Sequence, residues 1–224
     1  MQLLKRLYSF EREKSIDFYE VLYYNRRRGQ FMEKFYAYMD RMKFIKRWQL
    51  MRSTREENIM EHSQSVAMLT HGLCCIENAV FGGRVNAERA VLFAVYHEAS
   101  EVMTGDMPTP IKYFNSSIHG EYEKLEDLAV GKLSATLPEE LKMEISPYLA
   151  ADKNCAEYKF MKAADKLSAY LKCLEEIRSG NNEFMKAEKT IKEALFALKM
   201  RSVDYFMEHF VPAFYLTLDE LEGL

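Results

Sequence analysis

Tyr96-His97-Glu98-Ala99-Ser100-Glu101 packs an imidazole and two carboxylates between apolar Val95 and Val102. Burying that many ionisable groups is costly unless a metal or a counter-charge compensates them. Neighbours on a helix sit about 100° apart, so His97 and Glu98 can flank one ion. Glu101 follows His97 by four residues and Glu98 by three, spacings that share a helix face. The stretch is predicted to ride on a helix with Asn86 as N-cap and Arg89 at the capping-box position, running through Leu92 and Tyr96 to about Met103.

The chain on either side is also helical in pattern. His62, Val66, Leu69, Leu73, Ile76 and Val80 step by four and three, one face of a long helix ended by Phe81-Gly82-Gly83. Upstream, Phe35, Met39, Met42 and Ile45 mark an amphipathic helix within 31–45, and the polar stretch 52–58 reads as a loop. Downstream, the glycine and two prolines of Thr104–Pro110 exclude helix interior. Helices are expected again at about 118–136, 139–149, 155–178 and 182–205, then a short C-terminal piece. Phe160, Ala164, Leu167, Leu171 and Leu174 give the core stripe of 155–178. No period-two pattern, internal repeat or low-complexity tract is present. The fold class is all-α: one helical domain over 31–224, its helices crossing orthogonally or in an irregular bundle.

Residues 1–30 differ, with seven Lys/Arg against four Asp/Glu in a chain of net charge −3. They read as a basic, solvated leader helix ending at Arg26-Arg27-Arg28-Gly29. A further expectation is that Met32 is the usual start and residues 1–31 derive from an upstream start codon. With 48% hydrophobic and 29% charged residues, nine Gly and five Pro, the composition is globular and helix-favouring. The net negative charge argues against general nucleic-acid binding. Four Cys, at 74, 75, 155 and 173, without CxxC spacing, suit reduced thiols in a cytoplasmic protein. No apolar run reaches the roughly 18 residues of a membrane span.

A metal site at His97-Glu98 needs ligands from elsewhere, and His62 and Asp165 supply them. Two imidazoles and two carboxylates suit a divalent transition ion better than Mg or Ca. Such an ion ionises water near neutral pH and so provides a nucleophile. Glu101 stands where a proton could be moved, and Asp106 lies in the breaker loop. Arg47 and Arg55 are available phosphate-binding cations, and Trp48, the single Trp, could stack on a base or wall a sugar. Each residue also has an ordinary reading. Glu98 and Glu101 could be solvated, Asp165 could pair with Lys162 or Lys166, and His71, His119 and His209 read as filler.

His62, His97-Glu98 and Asp165 resemble the H…HD…D signature of HD-domain phosphohydrolases. The chain is similar to one branch, the bacterial HD-domain 5'-deoxynucleotidases. The similarity runs through FIKRWQLMR (44–52), ENIMEHSQSVAM (57–68), VNAERAVLFAVYHEASEVMTGDMPTPIKYFN (85–115), KAADKLSAYLKCLEE (162–176), GNNEF (180–184) and VDYFMEHFVPAF (203–214). It covers about 31–222. The resemblance implies an HD-domain bundle and hydrolysis of deoxynucleoside 5'-monophosphates with one divalent ion, such as Co or Mn, per subunit. It implies His62, His97, Glu98 and Asp165 as metal ligands and Glu101 with Arg47 as catalytic groups. Arg47, Trp48, His62, Asp106, Met107, Pro108, Thr109 and Asp165 become substrate contacts. A cytoplasmic homodimer that binds neither nucleic acid nor membrane is implied too. Glu98 departs from the signature, which has Asp there. Glu keeps the charge and adds a methylene, about 1.5 Å of reach. The alternatives are an HD phosphohydrolase of nucleoside triphosphates or signalling nucleotides, and a regulatory nucleotide-binding protein whose site Glu98 has weakened.

Overall fold

The computed structural model describes residues 33–223, so the expected leader over 1–30 and the Met32 start lie outside the described residues. The chain divides at Glu33, and Lys34–Leu224 is one compact unit. Among the described residues it is all-α; the only extended pairing there is one antiparallel bridge between Lys46 and Asn58.

Helix α1, Phe35–Met39, runs into a 3₁₀ turn at Asp40–Phe44. The long α2, Ile59–Phe81, starts where the Asn58 side chain accepts from the amides of Met60 and Glu61, both at 3.0 Å. It stops at Gly82, whose φ of 71° suits a residue without a Cβ. Helix α3, Ala87–Tyr96, is capped by Asn86, which accepts from the Arg89 amide. Then come α4 (Glu101–Thr104), α5 (Thr109–Lys112), α6 (Ser116–Ser134) and α7 (Glu139–Leu149). The second long helix is α8, Ala156–Arg178, followed by α9 (Met185–Ala197), α10 (Arg201–His209) and α11 (Leu218–Glu222). No helix among the described residues is long and apolar enough to cross a membrane.

Helices α2, α3 and α8 pack on one another, with α9 against α8 and α10 against α2. Val66, Leu73, Phe93, Leu167 and Tyr170 fill the space between them. Ala90, Ala94, Ala163 and Ala164 are fully buried. Their small side chains let α3 and α8 approach closely, which brings Asp165 beside His97. A second core joins Phe35, Met42, Ile59, Ala99, Leu133 and Leu149. Ala94 belongs to the first core and Ala99 to the second, so His97 and Glu98 sit on the seam between them.

Three expected boundaries change. Helix α3 ends at Tyr96 rather than Met103. The His97 Nδ1 takes the Ala94 carbonyl at 2.7 Å, and the amides of Ala99 and Glu101 bond only three residues back. His97–Ser100 is therefore a turn, and Glu101 opens a new helix instead of sharing a face with His97. The helix expected at 182–205 is two helices, parted at Lys199 with its φ of 52°. The helix expected within 31–45 tightens to 3₁₀ geometry after Met39.

Candidate active site

Three elements converge on one point. The first turn of α2 supplies His62, the turn after α3 supplies His97 and Glu98, and α8 supplies Asp165. One ligand atom from each lies within 4.8 Å of the others. His97 Nε2 is 3.0 Å from Glu98 Oε1 and 4.0 Å from Asp165 Oδ1. His62 Nε2 is 3.0 Å from Asp165 Oδ1.

The donor set fits a divalent transition ion. With Nδ1 given to the Ala94 carbonyl, His97 turns its buried Nε2 toward the cluster, 3.0 Å from Glu98 Oε1 but too poorly aligned for a full hydrogen bond. A buried nitrogen so poorly paired is costly, and an ion between it and the carboxylates would satisfy it. Burial alone would keep Asp165 and Glu98 protonated. At Asp165 the Lys162 ammonium, the bond to His62 and the charges of both histidines together outweigh it; at Glu98 the charge and bond of His97, with the bond from Glu101, do the same, so both stay well below the usual carboxylate range. His62 is lowered, by burial and then by Arg47, and remains neutral. Ionised carboxylates and a neutral imidazole are the forms a metal takes. Burial would also lower His97, but the Glu98 carboxylate, with Asp165, raises it, so without an ion the pair favours imidazolium and carboxylate, and an ion taken up here would displace the His97 proton.

A cavity of about 1410 Å³ opens over this cluster. Arg47, Trp48, His97, Glu98, Glu101, Asp106, Met107, Pro108, Thr109 and Asp165 all line it. Pockets for small molecules commonly measure about 300–1,000 Å³, so a mononucleotide has room. Burial, and then the Glu98 charge, push the Glu101 carboxyl up to about 11. Asp106 is raised by burial, against the pull of Arg47.

Arg47 donates to Glu57 Oε2 at 2.6 Å and to His62 Nδ1 at 2.8 Å. Trp48 has a φ of 59°, a left-handed backbone that costs a bulky residue about 1–2 kcal/mol. Its indole nitrogen donates to the same Glu57 oxygen at 3.0 Å, and its ring packs on Phe184 at 5.3 Å.

Two expected residues sit elsewhere. His62, expected to touch substrate as well as metal, is fully buried and does not line the cavity, since Arg47 and Asp165 cover its ring nitrogens. Arg55 faces away, pairing loosely with Glu61 and Glu175. Asp165 does pair with Lys162, as its ordinary reading had it, while keeping Oδ1 toward His62. Sequence reasoning missed Glu57, and also Ser168, whose hydroxyl lies 3.2 Å from His62 Nδ1.

A family model for YfbR-like 5'-deoxynucleotidases matches residues 34–214. The chain belongs to that family. It is 52% identical over 188 residues to the 5'-deoxynucleotidase YfbR of Shigella dysenteriae, covering 84% of this chain and 94% of that protein. The Escherichia coli K12 protein of the same name gives the same figures. Among solved structures, an HD-domain phosphohydrolase from Listeria innocua superposes with a TM-score of 0.71 at 22% identity, over 81% of this chain and 88% of its own. The cyanophage S-2L HD phosphohydrolase DatZ, bound to dA and one catalytic Zn²⁺, gives 0.56 at 21% identity, over 80% and 95%. At these identities the two structures establish the HD fold. Family membership fixes the class as well, a phosphoric monoester hydrolase with a 5'-deoxynucleotidase site.

Proposed function

We propose that this YfbR-like chain hydrolyses deoxyribonucleoside 5'-monophosphates to deoxyribonucleosides and phosphate, using one divalent transition ion, such as Co or Mn, per subunit. One observation carries the reading: four metal-ligand side chains meet within 4.8 Å, beneath a cavity walled by Arg47 and Trp48. His62, His97, Glu98 and Asp165 would hold the ion. When bound, it supplies a Lewis acid for the phosphate and lowers the pKa of an attacking water.

The chain's own groups do the rest. Arg47 holds equatorial phosphate oxygens, neutralising the charge that spreads over them as the O5' bond breaks. Glu57 anchors the guanidinium, keeping it aimed. Glu101, whose carboxyl is held protonated by burial and the Glu98 charge, gives its proton to the departing O5'. Trp48 walls the sugar and leaves no room for a ribose 2'-hydroxyl, which gives deoxy selectivity. Asp106 through Thr109 close over the nucleoside. Residues 31–224 form the catalytic domain, with 1–30 an extension outside it. A cytoplasmic homodimer is the assembly this reading carries with it.

The test is phosphate release from dAMP, AMP and 3'-dAMP with Co, Mn or Mg, before and after chelator. Release from dAMP alone, abolished by the chelator, is expected. No release with any metal would favour the regulatory reading. Turnover that persists in Glu101→Gln would remove Glu101 from the proton transfer.

A further inference from the structure

We propose that Glu57 is the positioning residue that holds Arg47 and Trp48 as one unit, setting phosphate affinity and sugar discrimination together. The inference rests on the nucleotidase reading for its kinetic part and on geometry alone for its structural part.

A single oxygen, Glu57 Oε2, accepts from Arg47 at 2.6 Å and from the Trp48 indole at 3.0 Å. The side chains of Glu57 and Arg47 are only 13% and 15% exposed, so water replaces these bonds poorly. The backbone repeats the link. The Arg47 amide donates to the Glu57 carbonyl at 2.9 Å, and the Ile59 amide to the Ile45 carbonyl at 3.0 Å. The Lys46–Asn58 bridge thus pins the Arg47-Trp48 segment to the residues just before α2, which carries His62. Local bonds from the Met51 amide to the Trp48 carbonyl and from Gln49 to the Lys46 carbonyl close the turn, but the left-handed backbone of a bulky residue also needs its side chain held, and the indole bond to Glu57 with the Phe184 packing hold it. The guanidinium also lies 5.7 Å from the Trp48 ring centroid. Arg47 and Trp48 therefore cannot move independently while Glu57 is in place.

Trp48 is the only Trp, so intrinsic fluorescence reports on it directly. The experiment compares the full-length wild type with Glu57→Ala, Glu57→Gln and Glu57→Asp. Glu56→Gln is the control, removing a neighbouring charge that pairs with exposed Lys46. Emission without substrate, and kcat and KM for dAMP and AMP, are measured in each. In Glu57→Ala we expect red-shifted emission, KM for dAMP raised about tenfold or more and a narrowed dAMP/AMP preference, with kcat changed less. Glu57→Gln, which keeps an acceptor oxygen and loses the charge, should recover the emission and part of the KM. Folded Glu57→Ala with unchanged emission and KM within twofold overturns the proposal, as do equal losses in Glu56→Gln. If Glu57→Ala does not fold, Glu57→Asp is read by the same criteria, its shorter reach withdrawing the shared oxygen. A wild type inert on every deoxynucleotide sinks the nucleotidase reading, while the emission shift still decides whether Glu57 holds Trp48.

Discussion

Glu98 shows how one methylene is absorbed. In a continuous helix, a longer side chain would carry its carboxylate past the ion. Here the helix stops at Tyr96, and Glu98 leaves from a turn whose amides bond three residues back. From that backbone Oε1 still reaches within 3.0 Å of His97 Nε2 and stays inside the ligand cluster. If Glu98 is a ligand as proposed, the turn suits its length, and shortening it should harm. Glu98→Asp withdraws the carboxylate by about 1.5 Å, well beyond the roughly 0.5 Å a functional site tolerates. Metal affinity, measured by titration calorimetry on the metal-free protein, should fall about tenfold, within the 10–100-fold range typical of disturbed metal sites. Tighter binding by the Asp variant would mean that the turn does not compensate.

At the scale of elements, the loop between Trp48 and α2 is clamped to the end of α8. Fully buried Glu176 accepts from the Thr54 amide at 2.8 Å, the Thr54 hydroxyl at 2.9 Å, Lys172 at 2.6 Å and Asn181 at 2.8 Å. Lys172 and Asn181 in turn donate to the carbonyls of Arg55 and Arg52. Burial would raise the Glu176 pKa, and these donors, Lys172 first, bring it down to about 2 from the ordinary 4.5. A folded-state pKa below the unfolded one stabilises above about pH 4.5, and that stability is lost as pH falls toward 2. The shift corresponds to about 3 kcal/mol. Urea unfolding of wild type and Glu176→Gln should therefore differ by about that much at pH 7, with the gap closing as pH falls below 4.5. A pH-independent gap would assign the difference to packing rather than charge. This clamp was not legible in the sequence, because Thr54 and Glu176 are 122 residues apart and only the fold joins them. Ser168 and His62, 106 residues apart, escaped for the same reason. The long helices were legible, because burial of one face repeats at every turn over many residues, as in Val66, Leu73 and Leu167. The end of α3 was not, because a side-chain bond from His97 to the Ala94 carbonyl decided it.

For the whole molecule, the proposed ligand cluster would also tie helices together. His62 opens α2, His97 and Glu98 follow α3, and Asp165 lies within α8, the three helices that share the main core. An ion held by all four binds only when those helices are docked, so binding free energy becomes folding free energy. At a metal concentration 100 times Kd the gain is about 2.7 kcal/mol. For a domain of this size each kcal/mol moves Tm by about 2–4 °C, which predicts a rise of about 5–10 °C on adding Co or Mn and its reversal by chelator. His62→Ala tests whether the rise comes from this cluster, since it deletes a proposed ligand that the cavity does not expose. In that variant the metal-induced shift should collapse to under about 2 °C, read by differential scanning fluorimetry against its own metal-free baseline. A shift retained in His62→Ala would place the stabilising ion elsewhere in the molecule.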